Sequence, residues 1–267
     1  MNPLGLTSKF FVESTQDKWD EVARVGFETA ELVFPPNIPV DQSQAEAQFR
    51  RKHILEAGLT ILSAHMPFGP DLDPSCLDTR RRLQTLTDQK QVLDIISSWD
   101  IPIAVIHASS EPIEDRERSA RFDCARESME ALSAYARESG IVLAVEELPR
   151  TCIGRDSVEM AELLRNCPDA GVTFDFNHLL RESHQSFINR MGRRIVTTHL
   201  SDYDFVDERH WMPGIGQIQW KEVVKALLST GYKGQLMFET YEDRGIPGEL
   251  CTPEKIMDSW ISLVSDI

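Results

Sequence analysis

The sequence predicts a (β/α)8 barrel. Short apolar or β-branched runs alternate with helical stretches along the 267-residue chain, and there are eight of each. No linker, low-complexity segment or short repeat interrupts them, so residues 1–267 are expected to form a single domain. No glycine-rich fingerprint follows the first apolar run, which argues against a dinucleotide-binding, doubly wound sheet.

The strands are expected at 3–6, 29–32, 60–64, 103–107, 141–146, 171–175, 195–199 and 235–239. Several lack clean polar alternation, as strands covered by helices on their outer face do. The helices are expected at 16–24, 44–57, 78–98, 116–139, 158–166, 185–191, 220–230 and 253–264. A Ser-Thr pair precedes the first, and Thr252 caps the last. Leu83, Leu86, Val92, Leu93 and Ile96 recur at helical spacing in the third. Gly26, Gly58, Gly140 and Gly231 each fall between a helix and the next strand, where a residue tolerant of positive φ closes the turn.

Composition excludes several classes. Hydrophobic residues make up 41% and charged residues 27%, and no apolar run is long enough to span a bilayer. A net charge of −15 disfavours binding to a phosphate backbone, so no nucleic-acid partner is expected. Five scattered cysteines without a CxxC pair, and a start without a signal-peptide pattern, point to reduced thiols and a cytoplasmic protein. Assembly into a homo-oligomer is left open.

In such barrels chemistry sits at the C-terminal ends of the strands. His65 ends the third strand, His107 the fourth, Glu146 the fifth, Asp175 the sixth (with His178 just beyond), His199 the seventh and Glu239 the eighth. Residues two apart in a strand share a face, so Glu146 goes with Val142 and Ala144. Small Ala144 suits a crowded interior, making Glu146 the inward residue. Glu147 is then the supporting or outward one, pairing with Arg150. Hard carboxylates and an imidazole converging from four strands suit one divalent ion, Mn²⁺, Mg²⁺, Co²⁺ or Zn²⁺. The expected ligands are Glu146, Asp175, His199 and Glu239. Phe68 and Trp211 are candidate pocket walls, and Arg80 to Arg82 a solvated helix face.

The segments "SAHMPF", "LAVEELPR", "FDFNH" and "THLSDYDFVDERHWMPGIGQIQWKEVVKALLSTGYKGQLMFE" resemble, in order and spacing, the xylose isomerase-like barrels. That family includes sugar and sugar phosphate isomerases and epimerases, inosose and dehydroshikimate dehydratases, and family-two AP endonucleases. The resemblance implies Glu146, Asp175, His199 and Glu239 as metal ligands, and Arg150 and His178 as substrate contacts. It places His65 and His107 near the site as candidate substrate contacts, at positions that become extra ligands in the endonucleases. Glu208 and His210 resemble the Asp-x-His pair of those enzymes, and His210 is also a candidate substrate contact. Ile215 and Cys152 depart from the pattern, where many relatives carry a glutamate and some ketose epimerases an acid.

The implied activity is a divalent-metal-dependent sugar (or sugar phosphate) isomerase or epimerase, acting on a small sugar or polyol. Glu146 and Glu239 would carry protons on two sides of the substrate, through an enediolate. A dehydratase on the same metal site, a multi-zinc phosphodiesterase and a non-catalytic sugar-binding barrel are the alternatives. Arg244 is the one local candidate for holding a phosphate on the last loops.

Overall fold

In a computed structural model, which describes residues 2–265, eight parallel strands close into a barrel in sequence order. They are β1 (Leu4–Thr7), β2 (Thr29–Val33), β3 (Thr60–His65), β4 (Ile103–His107), β5 (Val142–Glu146), β6 (Gly171–Asp175), β7 (Ile195–Leu200) and β8 (Leu236–Phe238). The helices between them are α1 (Gln16–Val25), α2 (Val40–Glu56), α3 (Thr79–Ser98), α4 (Asp115–Glu138), α5 (Ser157–Leu163), α6 (His184–Met191), α7 (Trp220–Ser229) and α8 (Pro253–Val264). Among the described residues, no helix is long and apolar enough to cross a membrane.

The strands alternate as a closed sheet demands. Leu6, Ala30, Leu32, Ala104, Ile106, Leu143, Val145, Val172, Phe174, Leu200 and Phe238 are buried in the apolar layer shared with the helices. The intervening positions form the barrel interior, which is polar below the mouth. Gln235 Nε2 donates to Ser63 Oγ at 2.6 Å and to Thr197 Oγ1 at 3.2 Å, and Ser63 Oγ donates to Glu31 Oε2 at 2.7 Å. These linked bonds brace the floor under the site, although Gln235 Oε1 itself finds no partner.

Local chemistry sets the helix ends. Asp78 accepts the amides of Arg80 and Arg81, Asp156 those of Val158 and Glu159, and Thr252 that of Lys255, with Pro253 at the first helical position. Gly26 closes α1 at φ 111°, and its amide returns to the last turn. Most elements fall within a residue of the expected bounds, and two differ by more. Helix α2 starts four residues earlier than the expected 44, because the Ser43 hydroxyl donates to the Pro35 carbonyl instead of capping a helix start. Helix α5 stops at Leu163, because the chain turns there to bring Cys167 and Ala170 into the core.

Candidate active site

The strand order carries one side chain from each of β5, β6, β7 and β8 to a common point. Glu146 and Asp175 are the last residues of their strands, His199 is the fifth residue of β7, and Glu239 directly follows β8. One ligand atom from each lies within 4.8 Å of every other, and all four residues are buried. His199 Nδ1 is 3.0 Å from Glu146 Oε1 and 2.9 Å from Glu239 Oε2.

His199 is oriented from behind. Its Nε2–H donates to Glu31 Oε1 at 3.0 Å, and Glu31 is anchored in turn by Ser63. This leaves Nδ1 facing the two carboxylates, the arrangement in which a carboxylate behind an imidazole fixes the ring for metal binding. Burial alone would disfavour the imidazolium, but Glu239, Glu31 and Glu146 outweigh it and hold His199 well above its usual range. Burial opposes charge on Glu146 too. His199, His107 and His65 prevail and hold that carboxyl well below its usual range.

Asp175 has the opposite balance. Burial, then the nearby charges of Glu239 and Glu146, push it well above the carboxylate range. Its backbone amide donates to both oxygens of Glu147, at 2.8 and 3.0 Å. Glu147 is therefore neither outward nor paired with Arg150: it is fully buried and holds the sixth strand end in place. The strand terminates at Glu146, so face alternation does not extend to the next residue. Burial and then the Asp175 charge raise the Glu147 carboxyl well above its usual value.

Two further groups surround the first. His65 Nε2 and His107 Nε2 converge on Glu146 Oε2, at 3.2 and 3.1 Å. His178 Nδ1–H donates to the Glu147 carbonyl at 2.9 Å, so its Nε2 lies toward Asp175 Oδ2 at 3.5 Å. His210 Nε2 contacts Glu208 Oε1 at 3.1 Å, and the trio His178, Glu208 and His210 is itself close enough to share an ion. Above lies a cavity of about 170 Å³ lined by Phe68, His107, Arg150, Cys152, His178 and Glu208, among others. Phe68 stands as a wall, 4.2 Å from the His107 ring centroid. Trp211 does not wall this cavity, because its backbone pairs with Asp202 and its ring lies beneath Arg209.

Arg150 is at the cavity, at φ 51°, but its charge is turned to three loop carboxylates, Glu111, Asp207 and Glu208. The hydrogen bonds to Glu111, which outweigh the cost of burial, and then those to Asp207 keep its guanidinium firmly protonated. At the departure from the family pattern, Cys152 is buried. Burial, and then the Glu111 charge, push its thiol up to about 12, so it is neutral where an acid would be charged.

Two site residues were not singled out from sequence. Lys9, on the loop after β1, forms an ion pair with Glu239 Oε1. Glu31 sits in the apolar run "TAELV", and an acid inside a buried strand was its available signal.

The donor set fits a divalent cation. Asp175 Oδ2 is a buried carboxylate oxygen without a hydrogen-bond partner, Glu239 Oε2 has only the His199 ring beside it, and both belong to the four-residue cluster. Orphaned buried oxygens of this kind are costly unless something positive meets them. Three carboxylates and one imidazole are a hard, mainly oxygen donor set.

The chain matches the model of the xylose isomerase-like TIM barrel over residues 19–261. It belongs to that family. Among relatives of this xylose isomerase-like barrel, an uncharacterized protein of Sinorhizobium fredii is 27% identical over 234 residues, covering 78% of this chain and 75% of its own. The D-psicose 3-epimerase of Enterocloster bolteae is 22% identical over 271 residues, covering 93% of this chain and 82% of its own. The crystal structure of a D-tagatose 3-epimerase-like protein matches with a TM-score of 0.80 at 21% identity, over 98% of this chain and 97% of that one. That likeness establishes the shared barrel.

Proposed function

We propose that this protein is a divalent-metal-dependent epimerase or isomerase of a small sugar. The observation that carries the reading is the pair Glu146 and Glu239, brought by different strands to 3.0 and 2.9 Å from the same atom, His199 Nδ1. The epimerases among its relatives support it.

Glu146, Asp175, His199 and Glu239 would hold the ion. A divalent cation there supplies Lewis-acid stabilisation of negative charge developing on the substrate's oxygens. Glu146 and Glu239, from β5 and β8, would reach a substrate from different strands, so one carboxylate would take the proton α to the carbonyl while the other, after picking up a proton from water, would deliver that one to the enediolate. Return to the opposite face of the same carbon inverts that centre, and return to the neighbouring carbon isomerises the sugar. His178 and Arg150 lie at the cavity where they would orient substrate oxygens. His65 and His107 keep Glu146 Oε2 occupied, leaving Oε1 toward the cluster. Phe68 lines the cavity, where its ring would help to exclude water.

Incubation of the Mn²⁺-loaded protein with a panel of ketoses in D₂O tests the reading. Deuterium enters the epimerised or isomerised carbon, and proton NMR displays the new sugar. Loss of water in place of inversion marks the dehydratase instead. Absence of exchange across ketoses and inososes defeats both.

The two outer groups, His65–His107–Glu146 and His178–Glu208–His210, favour a second reading, a multi-zinc phosphodiesterase. The net charge of −15 opposes it. Metal analysis separates the two: three zinc ions per chain support the hydrolase, and one ion supports the epimerase.

A further inference from the structure

We infer that the substrate of this site is an uncharged polyhydroxy ketone and that sugar phosphates are rejected. The inference rests on the reading that a sugar occupies the cavity, and it adds the charge class of that sugar.

A phosphate ester needs fixed cations or free amides. The cationic side chains nearest the mouth are already committed. Arg150 donates Nε–H to Glu111 Oε1 at 2.8 Å and Nη1–H to Asp207 Oδ1 at 2.7 Å. Its Nη2 meets Glu111 again and Glu208 Oε2, the latter at 2.8 Å. Four of the roughly five N–H groups of a guanidinium are thus aimed at carboxylates. One positive charge faces three negative ones, and Lys9 is paired with Glu239. Burial works against the charge on Glu208, yet the hydrogen bond from His210 prevails and keeps it ionised.

Among the described residues, the backbone of the loops after β7 and β8 offers no substitute. Barrels of this architecture commonly hold phosphate on the loops after the seventh and eighth strands, using amides at a helix start. Here the fully buried Asp202 carboxylate fills that role. Its Oδ1 accepts the Tyr203 and Ile218 amides at 2.9 and 3.2 Å. Its Oδ2 accepts the Gly214 amide at 2.8 Å and the Trp220 indole N–H at 2.9 Å. Gly216 closes over it so tightly that a Cβ there would lie 2.3 Å from Asp202 Oδ1. The loop carries its own anion. On the last loop, Arg244 is 47% exposed in its side chain and lies beside Asp243, and α8 is capped by Thr252 with Pro253 removing one amide.

An uncharged sugar suits what remains. Carboxylate lone pairs on Glu111 and Glu208 can accept sugar hydroxyls, and the Phe68 ring can cover the C–H face. A phosphate dianion would meet those same acids as like charges.

Calorimetric titration of the Mn²⁺-loaded protein with D-fructose, D-tagatose and D-fructose 6-phosphate tests the inference, with turnover followed in parallel. The expected result is that at least one free ketose binds tenfold or more tightly than the phosphate. Phosphate binding of equal or greater strength overturns the inference, as does failure of both free ketoses to bind. Binding of a free ketose without conversion sinks the epimerase reading and leaves this one standing. Glu111→Gln unburdens Arg150 and should narrow the preference by about tenfold; Asp207→Asn, at a half-exposed position, serves if that variant does not fold. A preference unmoved in the folded variant overturns the role given to these acids.

Discussion

Lys9 and Glu239 meet across the seam where β1 closes on β8. Leu4, Gly5 and Leu6 pair with Leu236, Met237 and Phe238; Glu239 follows directly, and Lys9, on the loop after β1, sets its ammonium on Glu239 Oε1. That contact makes the two oxygens of Glu239 inequivalent, because Oε2 faces His199. Burial opposes the Lys9 charge, but Glu239 outweighs it and raises the ammonium well above its usual value. Lys9→Met should lower kcat by roughly 10- to 100-fold, the equivalent of losing one charge-assisted hydrogen bond. KM should change much less. Lys9→Arg should restore part of kcat if the role is to position Glu239. Steady-state kinetics on both variants checks this, and equal losses in the two would count against positioning.

Glu31 and His199 give a second expectation. With Glu31→Gln the ring loses its anionic partner at Nε2, while Ser63 and the barrel floor stay in place. Metal affinity should fall about 10- to 100-fold, the usual cost of losing such a partner. Titration of Mn²⁺ without substrate measures it. Unchanged affinity would show that the ring is held by its strand alone.

Metal binding should also depend on pH in one direction. The metal-free His199 and Asp175 both hold protons more tightly than usual, and ligation requires them to lose those protons. Affinity therefore rises with pH, and calorimetry in two buffers of different ionisation enthalpy should reveal net proton release. For the metal-free fold the raised His199 value stabilises below its unfolded value of about 6.5 and is lost as pH climbs through the folded value. The melting temperature of metal-free protein should accordingly fall as pH rises above about 6.5, and metal should remove most of that slope.

Much of this arrangement was legible from local sequence. Glu146, Asp175, His199 and Glu239 stand at the ends of apolar runs, and a (β/α)8 barrel gathers such ends at one mouth. Glu147 supports the site as expected, but its outward alternative and its pairing with Arg150 fail, because alternation along a strand says nothing once the strand stops. Lys9 was missed because its partner is distant in sequence, and only barrel closure brings the two together. The ties of Arg150 to Glu111, Asp207 and Glu208 join three loops whose conformations no periodicity encodes. Elements are written in short-range pattern; loop-to-loop charge pairing is not.

Asp202 supplies the last expectation. Asp202→Ala would leave the Tyr203, Gly214 and Ile218 amides and the Trp220 indole N–H without their acceptor. Each orphaned donor costs about 1–3 kcal/mol when water cannot reach it. The loss of stability should therefore reach at least about 3 kcal/mol, read as a lower urea midpoint. Sulfate or phosphate should recover part of that loss in the variant and not in the parent, because the freed amides then form an anion site. The same anions acting equally on both proteins would mean only general salting effects. A variant as stable as the parent would mean that the loop re-forms around water, and that Asp202 does not hold it.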